Sequence, residues 1–275
     1  MATIPNLSPD NRFVVTGIDR VLTVQRPVVL AHIRAIRAGK PDASPEEVIR
    51  TLERRYLAAV TSGGALVGAS SVVPAIGTGA ALALSTVETA GFLEASALYA
   101  QSVTEVHGIA VDDPDRARAL VMTLILGTAG TDLVRQLAGQ AAGTGPARTT
   151  FWGELVTKNL PQAAMGQIAN QIKRTFVKRF ALTQGTNIVG RMIPFGIGAV
   201  VGGTGNHLLG RQIIRGSRTA FPPPPLVFPA ILEPKVRVPR EVKPSRRPHL
   251  PGLPRRKATL AIEAPTGPAP VPADD

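Results

Sequence analysis

Four side chains carry most of the chemistry this sequence offers: Glu88, Glu94, His107 and His207. A carboxylate kept from water has a raised pKa and serves as an acid, a base or a cation ligand, and both glutamates lie in or beside nearly uncharged stretches. They are six residues apart, about 240° around a helix, so they do not converge by themselves. That spacing supports neither a two-carboxylate glycosidase nor a di-metal site. The chain has no cysteine, and its four histidines (His32, His107, His207, His249) lie far apart. Thiolate metal sites and a cysteine nucleophile are therefore excluded, the scattered histidines do not favour a histidine metal site, and neither metal nor cofactor is expected. Ser70, Ser71 and Ser85 have no nearby histidine and no G-x-S-x-G elbow. No Gly-Lys-Ser/Thr follows the glycine-rich runs, so they offer no phosphate loop. His107-Gly108 also reads as a helix end, with the ring favourable to the dipole and the glycine in a left-handed cap. Asn206 beside His207 suits a side chain that bonds open carbonyls at a helix break.

The elements that must position these groups are helical. Ser44-Pro45-Glu46-Glu47 combines an N-cap hydroxyl, a proline at the first helical position and a glutamate able to reach back to the cap. It predicts a helix to about Ala59. Asp113-Pro114-Asp115, with Asp112 before it, repeats this logic ahead of Arg116 to Leu126. A third helix follows Pro161 over Gln162 to Ala181, where Ile168, Ile172, Phe176 and Phe180 make one apolar stripe beside Lys173, Arg174, Lys178 and Arg179. No alternating strands with hairpin turns are evident, so the expected class is an all-α helical bundle.

Two stretches depart from ordinary soluble helices. Tyr56 to Val87 is 32 residues without Asp, Glu, Lys or Arg, and Met192 to Gly210 is 19. Each has an apolar lead-in, a proline and glycines close behind: Val72-Val73-Pro74-Ala75-Ile76-Gly77-Thr78-Gly79 and Met192-Ile193-Pro194-Phe195-Gly196-Ile197-Gly198. They read as an internal repeat. Glycines four apart (Gly64 and Gly68; Gly198 and Gly202) let a second helix approach closely, which matters most in lipid. In water each costs about 1 kcal/mol relative to alanine in a helix interior. The expectation is two membrane-embedded or membrane-inserting helical segments, each bent at its proline; buried hairpins in a soluble bundle are the other reading.

Gly63-Gly64-Ala65 through Pro74-x-x-Gly77, an apolar helix with Glu88 and Glu94, Val106-His107-Gly108-Ile109 and Asp112-Asp113-Pro114-Asp115 together resemble the EcsC family. The family's second block is resembled by Ile193-Pro194-Phe195-Gly196-Ile197-Gly198-Ala199, leading to Asn206. The resemblance covers roughly Leu52 to Phe221. It implies a bacterial protein of a family named from a member at an ABC-transporter locus, with no settled reaction. Members often carry an aspartate where the first glycine-rich run enters the next helix; the nearest acid here is Glu88.

Charge completes the sequence reading. The net charge is +12, with the body near neutral up to residue 147 and strongly basic over 148–221, where ten Lys and Arg face one acid. Residues 222–275 hold 15 of 25 prolines, and Lys235 to Lys257 carry nine basic residues against Glu241. Such a segment sustains neither helix nor central strand and reads as a disordered basic tail. The expected organisation is an N-terminal helical segment (1–43), a helical domain (44–221) and the tail (222–275). Met1 to Asn11 lack a basic start and apolar core, so no cleaved signal peptide is evident. Lys235 to Lys257 contain no aromatic residue for base stacking, which makes nucleic acid an unlikely partner. Anionic membrane lipid is the expected partner, with a membrane protein or transporter as a further one and an oligomer open. The leading expectation is a non-enzymatic protein on the cytoplasmic side of the membrane. A soluble all-α hydrolase using a carboxylate and histidine pocket and a basic nucleic-acid-associated protein are the alternatives.

Overall fold

The computed structural model describes residues 24–70, 78–143, 151–190 and 197–234, with Thr16, Gly17, Arg20 and Leu22. Among them no strand occurs, and long α-helices make up most of the described residues. The helices are α1 Arg26–Gly39, α2 Pro45–Ser70, α3 Thr78–Val106, α4 Pro114–Leu126, α5 Thr128–Ala142, the single turn α6 Trp152–Glu154, α7 Gln162–Gly190 and α8 Ile197–Ala220. The expected all-α class is the one observed.

Caps start the helices where the sequence places them. At α2, Glu47 N–H donates to Ser44 Oγ (3.3 Å) while Ser44 N–H donates to the Glu47 carboxylate (2.9 Å), a reciprocal pair. At α4, Asp113 Oδ1 accepts from the amides of Asp115 (2.7 Å) and Arg116 (3.3 Å). A hydrogen bond from the Gln162 amide, joined by those backbone donors, holds the Asp113 carboxyl below its ordinary range. Gly108 ends α3 at φ +73°, where a Cβ would be strained. Arg116 closes a different gap. The π-helical turn Leu155–Asn159 leaves carbonyls without ordinary partners, and Arg116 donates to Val156 O (2.9 Å) and Leu160 O (2.7 Å).

Helix lengths depart from the sequence expectation. The first long helix passes Ala59 and continues through Gly63 and Gly64 to Ser70, and α7 continues past Ala181 to Gly190. The glycines of α2 do not end it because the helix is held from outside by packing against α8 and α3. Asn206 likewise lies inside α8 rather than at a break.

The core is mostly aliphatic, with Ile33 and Ile36 of α1, Leu52 of α2, Leu93 of α3, Leu120 and Leu124 of α4 and Ile172 of α7, joined by the aromatic Trp152 of α6 and Phe176 of α7. The predicted α7 stripe faces it at Ile168, Ile172 and Phe176; the surroundings of Phe180 lie outside the described residues.

Side-chain pairs fix helix directions. Ala65 meets Gly203 while Glu53 meets Arg218, so α2 and α8 are antiparallel. Glu88 meets Asn206 and Tyr99 meets Ser217, so α3 and α8 are parallel. Both latter pairs are 118 residues apart, and the 11 residues between them make about three full turns, which returns the same face of each helix. Glycines make the α2–α8 approach close. A Cβ on Gly210 would lie 3.0 Å from Leu57 Cδ1 and Val60 Cγ2, and one on Gly203 3.3 Å from Ala65 Cβ. Gly64 is buried in the same stretch of α2. The surroundings of Gly68, Gly79, Gly198 and Gly202 lie outside the described residues, as do Pro74, Gly77, Pro194 and Gly196 themselves.

Residues 222–234 form a strap on the helices, and the compact unit extends to Lys235. His107 Nε2 lies 3.1 Å from Pro222 O, Arg34 donates to Ile231 O (2.6 Å), and Arg37 donates to Leu232 O (2.7 Å) and Glu233 (3.1 Å). The Arg37 guanidinium also sits 4.0 Å over the Phe228 ring. Apolar residues among the prolines explain the docking, since Leu232 is fully buried. Residues 235–275 lie outside the described residues.

Two outcomes follow for stability. Gly210→Val overpacks the seam and costs about 1–3 kcal/mol, whereas Gly166→Ala, with open space around it, gains up to about 1 kcal/mol; denaturant unfolding with equal shifts for both would contradict a close α2–α8 approach. Asp113→Ala removes the α4 cap at a cost of about 1 kcal/mol at neutral pH. The depressed Asp113 pKa places this contribution above the ordinary aspartate range near 3.9. It is lost as pH falls through the lower folded-state value, so the gap between the two proteins narrows there in acid unfolding curves.

Candidate functional site

The polar groups inside the bundle form layers along the line where α2, α3 and α8 meet. In the lowest, Arg218 of α8 forks onto Glu53 of α2, with nitrogens 2.7 and 2.6 Å from the two carboxylate oxygens. That bond and the carboxylate charge hold the Arg218 pKa above its already high ordinary value. In the next layer the chain's two tyrosines stack, Tyr56 on Tyr99, with ring centroids 4.7 Å apart and planes inclined by 13°. Each hydroxyl finds a serine: Tyr56 with Ser96 at 2.9 Å, Tyr99 with Ser217 at 2.6 Å. Burial pushes both phenol pKa values up, which keeps them neutral hydrogen-bonding groups.

About three turns from Ser217 along α8, the Asn206 amide joins two helices. Its Nδ2 donates to Val60 O (3.2 Å) and to Glu88 Oε1 (3.0 Å), so one side chain of α8 ties α2 to α3. Glu88 is 8% exposed. Beside it, His207 Nδ1 lies 3.2 Å from Thr61 Oγ1.

The four sequence candidates thus part company. Glu88 and His207 share the α2–α3–α8 neighbourhood, but each is bonded to a partner of its own. Glu94 is exposed on α3. His107 lies at the far end of α3, with Nδ1 2.8 Å from Val103 O and Nε2 on Pro222 O, packed on Phe221. A cleft of about 130 Å³ lies between α4 and α7, lined by Asp115, Arg118, Met122 and Lys173 among others, and contains none of the four. It is below the roughly 300 Å³ of small-molecule sites. Among the described residues no group of three or more His, Asp or Glu is placed to hold a metal. A carboxylate and histidine pocket uniting these four side chains is not formed.

Sequence reasoning missed the tyrosine pair, the Asn206 bridge and the cationic grip of Arg34 and Arg37. A signal existed for the first: two tyrosines in a chain so poor in aromatics invite the question of what they touch. The bridge had a fainter one, because Glu88 and Asn206 follow the two glycine- and proline-rich runs at similar distances.

No family model, curated protein or solved structure matches the chain.

The bridge has a measurable consequence. Asn206→Ala removes a donor from the buried Glu88 carboxylate and from Val60 O and costs about 1–3 kcal/mol, whereas Glu94→Gln, at an exposed site, stays within about 0.5 kcal/mol. Matched losses for the two variants in thermal or denaturant unfolding would show that the layer does not join the helices.

Proposed function

We propose that this is a non-enzymatic, membrane-associated helical protein, one that places the charge-free end of its bundle in the anionic cytoplasmic face of a membrane. The observation that carries the reading is where the two glycine- and proline-rich runs attach. Because α3 and α8 are parallel and in step, Thr78 and Ile197 begin at the same end, and antiparallel α2 finishes there at Ser70. From that end inward, α2 back to Tyr56, α3 to Val87 and α8 to Gly210 contain no Asp, Glu, Lys or Arg. Large apolar side chains on these lengths face outward: Leu66 is 73% exposed, Val87 67% and Leu208 59%. Apolar exposure of this kind marks an interaction surface.

Among the described residues no helix is long and apolar enough to cross a membrane. The proposal is accordingly one of association from one side, with basic side chains drawn to anionic lipid. The resemblance of the two blocks to the EcsC family supports the same reading, and with it a bacterial membrane and a membrane protein or transporter as neighbour.

Flotation with vesicles of phosphatidylcholine and phosphatidylglycerol tests it. Wild-type protein rises with the vesicles, and the double variant Leu66→Asp, Leu208→Asp loses at least about tenfold in partitioning while keeping its helical circular dichroism, because each exposed leucine forfeits its transfer to lipid. Wild-type protein that stays at the bottom of the gradient at millimolar lipid refutes the proposal.

A further inference from the structure

We infer that the charge-free end is dimensioned for a single leaflet and that Arg55, Arg211 and Arg215 form a collar that grips anionic phospholipid headgroups at its edge. This rests on the membrane reading and adds depth, orientation and lipid class to it.

The argument starts from three outward stripes. On α2, Arg55, Ser62 and Leu66 recur at spacings of seven and four, and all are exposed. On α8, Thr204, Leu208, Arg211 and Arg215 recur at four, three and four, again all exposed, and Arg215 Nε donates to Arg211 O. On α3, Val87, Gly91 and Glu94 recur at four and three. Each stripe passes from uncharged near the helix end to charged further down, but the charge differs. Two stripes meet an arginine and the third a carboxylate. Among the described residues Arg55, Arg211 and Arg215 form no ion pair, unlike Arg218, which Glu53 occupies.

Depth follows from helix rise. Arg55 stands 15 residues from Ser70 and Arg211 14 residues from Ile197, about 22 and 21 Å at 1.5 Å per residue. Half a bilayer is about 15 Å of hydrocarbon and about 20–22 Å with its headgroup layer. The first cations on α2 and α8 therefore fall together at the headgroup level of the leaflet the end has entered. Glu94 on α3 falls at a similar depth, about 24 Å from Thr78, where it repels the same headgroups. The α2–α8 side consequently leans into the lipid surface and the α3 side away from it.

Because the chain has no cysteine, depth is directly measurable. Single variants Ser62→Cys and Leu66→Cys of the full chain, carrying an environment-sensitive fluorophore, are bound to 7:3 phosphatidylcholine–phosphatidylglycerol vesicles with spin labels placed shallow or deep in the acyl chains. The probe at 66 is quenched more by the deep label and the probe at 62 more by the shallow one. In parallel, Arg211→Gln with Arg215→Gln weakens partitioning to these vesicles on the order of tenfold and leaves the weaker binding to pure phosphatidylcholine unchanged, while Glu94→Gln weakens neither. Bound protein with both probes unquenched overturns the leaflet insertion, and an unchanged arginine variant overturns the collar, each with membrane association intact. Absence of binding to either vesicle overturns the membrane reading itself and this inference with it.

Discussion

Where α2 and α8 run side by side, Gly203 and Gly210 remove the side chains that ordinarily hold two helices 8–10 Å apart, and what lies at that depth follows from the gap. Only with the backbones this near can the short amide of Asn206 reach a main-chain carbonyl of α2 while also holding a carboxylate on α3. The same nearness puts Thr61 within reach of His207. Glycine in a helix is unfavourable in isolation, so these helices depend on one another: neither has the intrinsic propensity to be as long as it is without its neighbour. Buried polar groups then act as registry pins. Glu53 with Arg218, the tyrosine pair with its serines, and Asn206 with Glu88 each fit only one axial position of α8, so a slip of one turn would leave several buried groups without bonds.

What was legible in the sequence was local. Ser44 with Glu47 and Asp113 with Pro114 announce helix starts because capping is chemistry between residues three apart, and the apolar stripe of α7 announces its buried face because period alone determines it. Helix ends were less legible. The helix from Pro45 runs past Ala59 because the cost of Gly63 and Gly64 is offset by contacts with residues more than 130 positions away. The site was legible only in its parts. Glu88 and Asn206 each stood out beside a glycine-rich run, yet nothing local says that they share a hydrogen bond. The internal repeat was the missing link: Pro74 to Pro194 is an offset of 120, close to the 118 that separates paired residues on parallel α3 and α8.

The strap shows a second limit of composition. Its prolines leave no α-helix or strand in it, and the short 3-10 turn Ala230–Leu232 is its regular element, but absence of long regular structure is not absence of packing. Ile231 O and Leu232 O close the short 3-10 turn Ala230–Leu232, where a helix end leaves carbonyls open, which makes them ready acceptors for the guanidinium groups of Arg34 and Arg37. His107 belongs to the same arrangement. A residue that reads as a reagent because of its ring nitrogens instead has both of them engaged by main-chain oxygen, one from its own helix and one from the start of the strap.

That strap also sets an order of events during synthesis. Arg37 is made early and its partners at 232 and 233 about 195 residues later. At the roughly 5–20 residues per second of translation, the guanidinium waits on the order of 10–40 s before its acceptors leave the ribosome. Through that interval the Arg37 guanidinium lacks both its acceptors and the Phe228 ring that lies over it, and α2 lacks α8 as well. The first helices of this chain therefore complete their contacts only once α8 and then the strap have emerged.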